Sequence, residues 1–379
     1  MNVSPVKVAF LVLACCLFPM MMCGQTKADE SNRCKHERRK EKVQQIKKRV
    51  ADTWQVMDYT LQHRRPTTDT LYVTRPKQPW TIQARCDLKR TYFSTDDAYE
   101  GYHFKYYFQN DFNTSVGASV NYRGLSLSLS FSPKNVFTGI KDKEFNFNYY
   151  NNRFGVDLAY SNIKHFRGSR NFSNLFGGSS GKDNLGDTHL HSASLNAYYV
   201  FNYRRFSYPA AFNNTWIQKK SAGSLVAGTT IYIGKCSVDL SVMTPERVES
   251  LPLMADVVRM RYVSLNLGYA YNWVPNRHWL LHASAVPGLM IWKNYSVDIA
   301  KLSTNPTTQE VTSAHYSTER WPKRFNDVVA TLRFGATYTW ENYFVGGTVV
   351  KQLEYIGDRD KATFYGGRWK IRFYFGLRL

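Results

Sequence analysis

Between Trp80 and Leu379 apolar and polar residues change places with period two, segment after segment. The last segment, "RWKIRFYFGLRL", is the cleanest case. Trp369, Ile371, Phe373, Phe375, Leu377 and Leu379 are apolar, whereas Arg368, Lys370, Arg372, Tyr374, Gly376 and Arg378 are mostly polar or basic. Successive side chains of an extended strand point to opposite faces, so this pattern specifies strands with one oily and one wet face. A soluble sandwich or a membrane barrel can use such strands. The aromatic content favours the barrel: 15% of residues, with Tyr (26) above Phe (23) and 9 Trp. Past the N-terminus no run of about 20 apolar residues offers a transmembrane helix. The negative mean hydropathy is no objection, because a spanning barrel needs only half of its strand residues apolar.

The N-terminus predicts export. Lys7 precedes "VAFLVLACCLFPMMM" and the small or polar "CGQTKADE", the layout of a cleaved signal peptide over residues 1–25. Lipidation at Cys23 is the rival reading, but "MMMC" lacks the small residues that would precede a lipidated cysteine. Cys34, Cys86 and Cys236 remain after cleavage, an odd and scattered set with neither disulfide nor zinc spacing. The formal charge of +21 would point to nucleic acid in a cytoplasmic protein. For an exported chain no nucleic-acid partner is expected, and the anions to hand are lipid phosphates, lipopolysaccharide, glycans and small solutes. Residues 26–78 form a basic periplasmic leader. Within it Val43, Ile46, Val50, Trp54, Met57 and Leu61 have the spacing of a short amphipathic helix, solvated or docked on a periplasmic partner.

Residues 79–379 are expected to form the barrel. The strands begin at Trp80–Leu88 and 101–109, followed by "SVGASVNYRGLSLSLSFS", where the alternation slips phase at "YRG". The slip is either a hairpin turn at Arg123–Gly124 or a glycine bulge inside one long strand. Later strands are 143–150, 153–164, 188–202, 222–234, 260–272, 278–292, 327–340, 342–354 and 367–379. With the bulge, the connections fall near 91–100, 110–113, 133–142, 151–152, 165–187, 203–221, 235–259, 273–277, 293–326, 341 and 355–366. Long and short then alternate except at 203–221, as in barrels with short periplasmic turns and longer external loops. This reading gives an all-β, antiparallel up-and-down transmembrane barrel of about twelve strands, closed by the last strand against the first. That last strand also resembles the C-terminal signal read by the barrel-assembly machinery, with Leu379 in place of the usual aromatic.

Alternation turns Arg85, Lys89, Lys105, Arg333, Lys370, Arg372 and Arg378 inward, against the acids Asp87, Asp157 and Glu354. A basic lumen of this kind favours anions if it is open. The acids sit on separate strands, which fits lumenal salt bridges better than paired acid–base catalysis. His282 and Ser284 share a lumen face, the seed of a nucleophilic pair if a third group orients the histidine. No G-x-S-x-G, H-E-x-x-H or P-loop pattern occurs, and no metal or cofactor is implied.

"TDTLYV", "YRGLSLSLSF", "KEFNFNYYNNRFGVDLAY", "YYVFNYRRFSYPAAFNNTWIQKKSAGS" and "LGYAYNWVPNRHWLLHASAVPG" together resemble domain-of-unknown-function family 4421, over about residues 69–379. The resemblance implies an exported Gram-negative outer-membrane barrel and no particular chemistry. Its most specific stretch, "RRFSYPAAF", falls on the one exception in the loop pattern. Residues 203–221 carry Arg204, Arg205, Phe206, Tyr208, Pro209, Phe212 and Trp216, too aromatic for a solvated loop. They either fold back to cap or plug the periplasmic mouth or form a well-packed turn that finishes the barrel. The functional expectation is a narrow or gated channel or binding barrel for anionic or polar solutes. The alternatives are a lipid or glycan hydrolase and a structural barrel docking a partner through its leader.

Overall fold

The computed structural model describes residues 68–99, 102–110, 112–122, 125–131, 143–174, 180–238, 253–305, 311–320, 327–358 and 362–379, besides Gln44, Asp52 and Val248. The signal peptide, Cys23 and the 26–65 helix lie outside the described residues.

Pro66–Leu379 is one compact unit built almost entirely of antiparallel strands. In chain order these are β1 (Val73–Thr74), β2 (Trp80–Tyr99), β3 (Tyr102–Gln109), β4 (Asn113–Tyr122), β5 (Leu125–Phe131), β6 (Lys143–Tyr150), β7 (Phe154–Asn174) and β8 (Ser180–Val200). A short helix α1 (Tyr208–Phe212) follows, then β9 (Ile217–Gln218), β10 (Ala222–Ser237), β11 (Leu253–Trp273) and β12 (Trp279–Thr304). The chain ends with β13 (Val311–Arg320), β14 (Val328–Trp340), β15 (Tyr343–Asp358) and β16 (Ala362–Arg378). The ring runs β2–β4–β5–β6–β7–β8–β10–β11–β12–β14–β15–β16 and back to β2, a twelve-stranded up-and-down barrel as expected. Leu379 and Trp80 exchange backbone hydrogen bonds at 2.9 and 3.0 Å, so the final strand pairs to its last residue. Closure leaves no unpaired edge there.

The count agrees with the sequence expectation, but the turn lies elsewhere. Tyr122 pairs with Leu125, so β4 and β5 form a hairpin across residues 123–124. The break at 110–113 is instead an irregularity inside one strand: β3 and β4 both run antiparallel to β2, on its upper and lower halves. β13 and β14 divide β12 in the same way. Between β5 and β6 the described residues show the pairing of Leu125 with Tyr149, and above it β3 pairs directly with β7.

The stretches expected as long loops are largely strand. β7 and β8 continue through most of 165–187, and β12 and β13 occupy much of 293–326. Beyond an apolar solvent both faces of a strand can be wet, so such extensions pair through the backbone without any alternation to mark them.

Outward residues of the described strands make an apolar belt. Leu225, Ile231, Ile233, Leu265, Leu267, Leu289, Ile291, Phe334 and Phe373 are all exposed. Aromatics border it on one side (Phe201, Trp273, Trp279, Tyr343, Phe375) and on the other (Tyr107, Trp292, Tyr355, Tyr365). From Tyr365 to Phe375 is roughly 33 Å of strand, or about 25 Å in height at the usual barrel tilt.

Inward residues form layers. The half of the barrel away from the short turns is filled by an apolar core, including Phe93, Tyr106, Phe108, Met260, Tyr262, Met290, Tyr295, Ile356 and Phe364. This corrects the inward assignment of Lys105. Phe108 is 1% exposed, and Lys105 stands on the outer face. Phase by polarity fails on β3 because the lumen there is apolar: the aromatics turn inward to stack, Phe93 on Phe108 at 4.6 Å, and the charge turns out.

Candidate functional site

Residues 201–218 enter the mouth on the short-turn side. Ser207 caps α1, accepting from the Ala210 amide at 3.2 Å and donating to Asn152 at 2.6 Å. Pro209 occupies the first turn, where its missing N–H costs nothing. The helix ends at Asn213, and Asn214 follows with φ 56°. Phe206, Tyr208, Pro209 and Trp216 are buried, and Phe212 is half-buried.

The contacts of this segment are with the inner wall. The Tyr208 hydroxyl lies 3.0 Å from Ser284 Oγ and accepts from Arg333 Nη1 at 3.1 Å. The Tyr208 ring packs on Tyr198, Phe212 and His282. Asn272 donates to the Ser207 carbonyl at 2.8 Å. Trp216 joins Ala210, Val73 and Leu280 in an apolar cluster beneath Arg75, whose guanidinium stands 4.8 Å from the indole centroid. At the rim Arg204 and Arg205 stay exposed. Arg205 pairs with Asp69 at 3.4 Å, and β1 pairs with β9. The segment is thus tied both to the wall and to the strand preceding the barrel.

Between this segment and the apolar core lies a chamber of about 220 Å³. It has room for several waters or one small solute. Arg85 and Lys89 from β2, Arg333 from β14, and Arg368, Lys370 and Arg372 from β16 line it, with Asp157 as the one acid among its described lining residues. Polar walls come from Gln83, Thr91, Asn110, Ser119, Asn196 and Gln352, and Tyr208 and Phe212 close the lower side.

Carboxylates fix part of the cationic wall. Asp87 accepts a fork from Arg372, at 2.6 Å from Nε and 3.1 Å from Nη2, and lies 3.9 Å from Arg85. Planar two-point pairing of this kind holds a guanidinium in a set orientation. Arg333 lies 3.7 Å from Asp157. Toward the apolar core, Glu354 accepts from the Tyr262 hydroxyl at 2.9 Å, and the Arg368 guanidinium stands 4.7 Å from the Tyr232 ring.

Of the seven basic residues predicted to face inward, five line the chamber: Arg85, Lys89, Arg333, Lys370 and Arg372. Arg378 is buried nearer the short turns, its guanidinium 5.0 Å from the Phe344 ring, and Lys105 is outside. Arg368 also lines the chamber without having been predicted there, although it shares the alternating face of Lys370 and Arg372. Asn272 binds the Ser207 carbonyl and His282 rather than lining the chamber; it was not predicted either, although it continues the inward alternation of Ser264, Asn266, Gly268 and Ala270.

His282 Nδ1 lies 2.7 Å from Asn272 Oδ1, and His282 Nε2 lies 3.1 Å from Ser284 Oγ. The order serine–histidine–asparagine is that of a general-base relay. The hydroxyl, however, already meets Tyr208, and Phe206, Tyr208 and Phe212 surround the imidazole. The three groups bind the inserted segment and leave no approach for an ester among the described residues.

The family model described as "Domain of unknown function (DUF4421)" matches residues 67–378. No curated protein matches the chain. Among solved structures it is similar to the outer-membrane protein OprG of Pseudomonas aeruginosa, at 12% identity and TM-score 0.26, covering 79% of this chain and 96% of that one. It is similar also to the toluene transporter TodX of P. putida, at 9% identity and TM-score 0.21, covering 80% and 91%. A third is the translocator domain of the autotransporter NalP of Neisseria meningitidis, at 10% identity and TM-score 0.24, covering 88% and 98%. At these values the likenesses carry nothing about function.

Proposed function

The chain belongs to the DUF4421 family, whose description assigns no activity, and from its geometry we propose an outer-membrane barrel that takes a small anionic or polar solute into a gated lumenal chamber. The exposed belt, about 25 Å high between aromatic borders, has the dimensions of a bilayer's hydrocarbon layer. In water that surface would be far larger than a monomer tolerates. The short connections from β4 to β5, β6 to β7 and β14 to β15 lie at one end, which is the periplasmic end in this class of barrel.

The observation that carries the solute class is the chamber wall: six basic side chains and one acid around about 220 Å³. Counting the adjacent Asp87 and Glu354 still leaves an excess of positive charge. The volume is below that of a drug-sized pocket, so the solute is a phosphate- or carboxylate-sized group. Passage requires the 203–218 segment to leave the mouth and the apolar core to part. The barrel is therefore closed at rest and conducts only on rearrangement. His282 and Ser284 serve as the latch for that segment rather than as a hydrolytic pair.

Planar-bilayer recording tests this reading. Wild type is expected to conduct rarely and with anion preference under a salt gradient, and deletion of residues 206–216 is expected to raise the conductance. Calorimetric titration of the purified protein with inorganic phosphate, with glucose as the neutral arm, reads the chamber directly. A folded deletion barrel with wild-type conductance, together with no heat from phosphate, removes the proposal.

A further inference from the structure

On the outer wall the register aligns one row of directly paired residues across five strands. His191 (β8) faces Lys235 (β10), Lys235 faces Arg259 (β11), Arg259 faces Ser296 (β12), and Ser296 faces Arg320 (β13). Arg261 stands two residues from Arg259 on the same face, opposite Ile233 and Asn294. The direction is set by the neighbours: Tyr232, Cys236, Met260, Tyr262 and Tyr295 are buried in the lumen, so the alternate residues point outward. Lys235, Arg261, Arg320 and His191 are exposed.

Strand spacing confines Lys235, Arg259, Arg261 and Arg320 to a patch roughly 15 Å by 7 Å. Asp298 accepts from Arg259 at 2.5 Å and from Thr318 at 3.0 Å, offsetting one charge and leaving an excess among the described residues. Directly below, the same face becomes Ile231, Ile233, Leu265, Ile291 and Trp292. The patch therefore sits where the apolar belt ends, on the side away from the short turns.

We propose that this patch binds the phosphate groups of an outer-leaflet lipid, whose acyl chains lie on the apolar strip beneath. Clustered Lys and Arg give charge-assisted hydrogen bonds to phosphate oxygens. The continuity of charge and grease selects a phosphorylated lipid over a free anion, which would make no use of the strip. The inference rests on the membrane placement proposed above.

The test uses full-length mature protein in phosphatidylcholine nanodiscs with a small fraction of diphosphorylated lipid A, and counts retained glycolipid by native mass spectrometry. Each basic group near an anionic surface contributes about a fivefold change in affinity. The double variant Lys235→Gln/Arg261→Gln is therefore expected to bind about 25-fold more weakly. Lys105→Gln, on the outer face of β3, is expected to retain lipid like wild type. Wild-type retention should also fall steeply with added salt, a reading that needs no variant. Equal retention by the double variant, salt-independent retention, or displacement by inorganic phosphate at lipid-like concentrations overturns the lipid site. Wild-type protein that fails to float with liposomes overturns the membrane placement as well, which separates the two failures.

Discussion

Replacing Tyr208 by Phe removes one oxygen and leaves the ring in place. That oxygen accepts from Arg333 at 3.1 Å and meets Ser284 at 3.0 Å, so it joins the inserted segment to both β14 and β12. Hydrogen bonds to charged groups contribute about 1.5–3 kcal/mol. Arg333 keeps Asp157 at 3.7 Å, and Ser284 keeps His282 at 3.1 Å, which places the loss near the lower part of that range. A loss of about 2 kcal/mol changes the ratio of inserted to released segment about 30-fold. The ring's stacking on Tyr198, Phe212 and His282 persists, so the barrel's own unfolding should barely move. Single-channel recording reads the fraction of time spent conducting, expected to rise about 30-fold in Tyr208→Phe. A variant that folds and opens no more often than wild type, while the 206–216 deletion opens more often, would refute the latch: release of the segment would not be governed by these bonds.

Other perturbations test other parts of the account. Asp87→Asn leaves the Arg372 and Arg85 guanidiniums beside a neutral amide, and breaking a buried pair costs about 3–5 kcal/mol, to be read as a lowered urea midpoint in lipid vesicles. Leu267→Arg puts a charge at the centre of the exposed belt on β11, where a bilayer midplane charges about 2–4 kcal/mol; unchanged stability in vesicles would show that this face does not meet lipid. At Gly268 a Cβ would lie 2.2 Å from the Ala285 carbonyl oxygen, where the β11–β12 ladder skips pairings beside Pro287. Backbone cannot yield as a side chain can, so Gly268→Ala should lower the yield of heat-modifiable folded barrel on gels, with a cost of about 1–3 kcal/mol or more.

Much of the site is legible in the amino-acid sequence alone. On β2 and β16 the lumen is polar at chamber height, so polarity and inward direction coincide, and counting alternate residues puts Arg85, Lys89, Lys370 and Arg372 on the face that lines the chamber. The same rule fails at Lys105, because the interior there is aromatic and polarity no longer reports direction. The position of the first turn escapes for a related reason. With 110–113 taken as a turn, only a bulge at 123–124 keeps long and short loops alternating; with 110–113 as an irregularity inside one strand, the hairpin at 123–124 gives the same twelve strands.

By itself, then, the order of residues determined period-two strands, a greasy outer surface, and a basic stripe inside. These are local properties: each follows from which side chains stand two apart on one strand. Only the tertiary structure decided that the mouth is filled by residues 203–218, that the opposite half of the lumen is a packed apolar core, and that six cations from three strands enclose one small chamber. Those outcomes depend on which side chains meet across the barrel, a distance that no alternation along a single strand can encode.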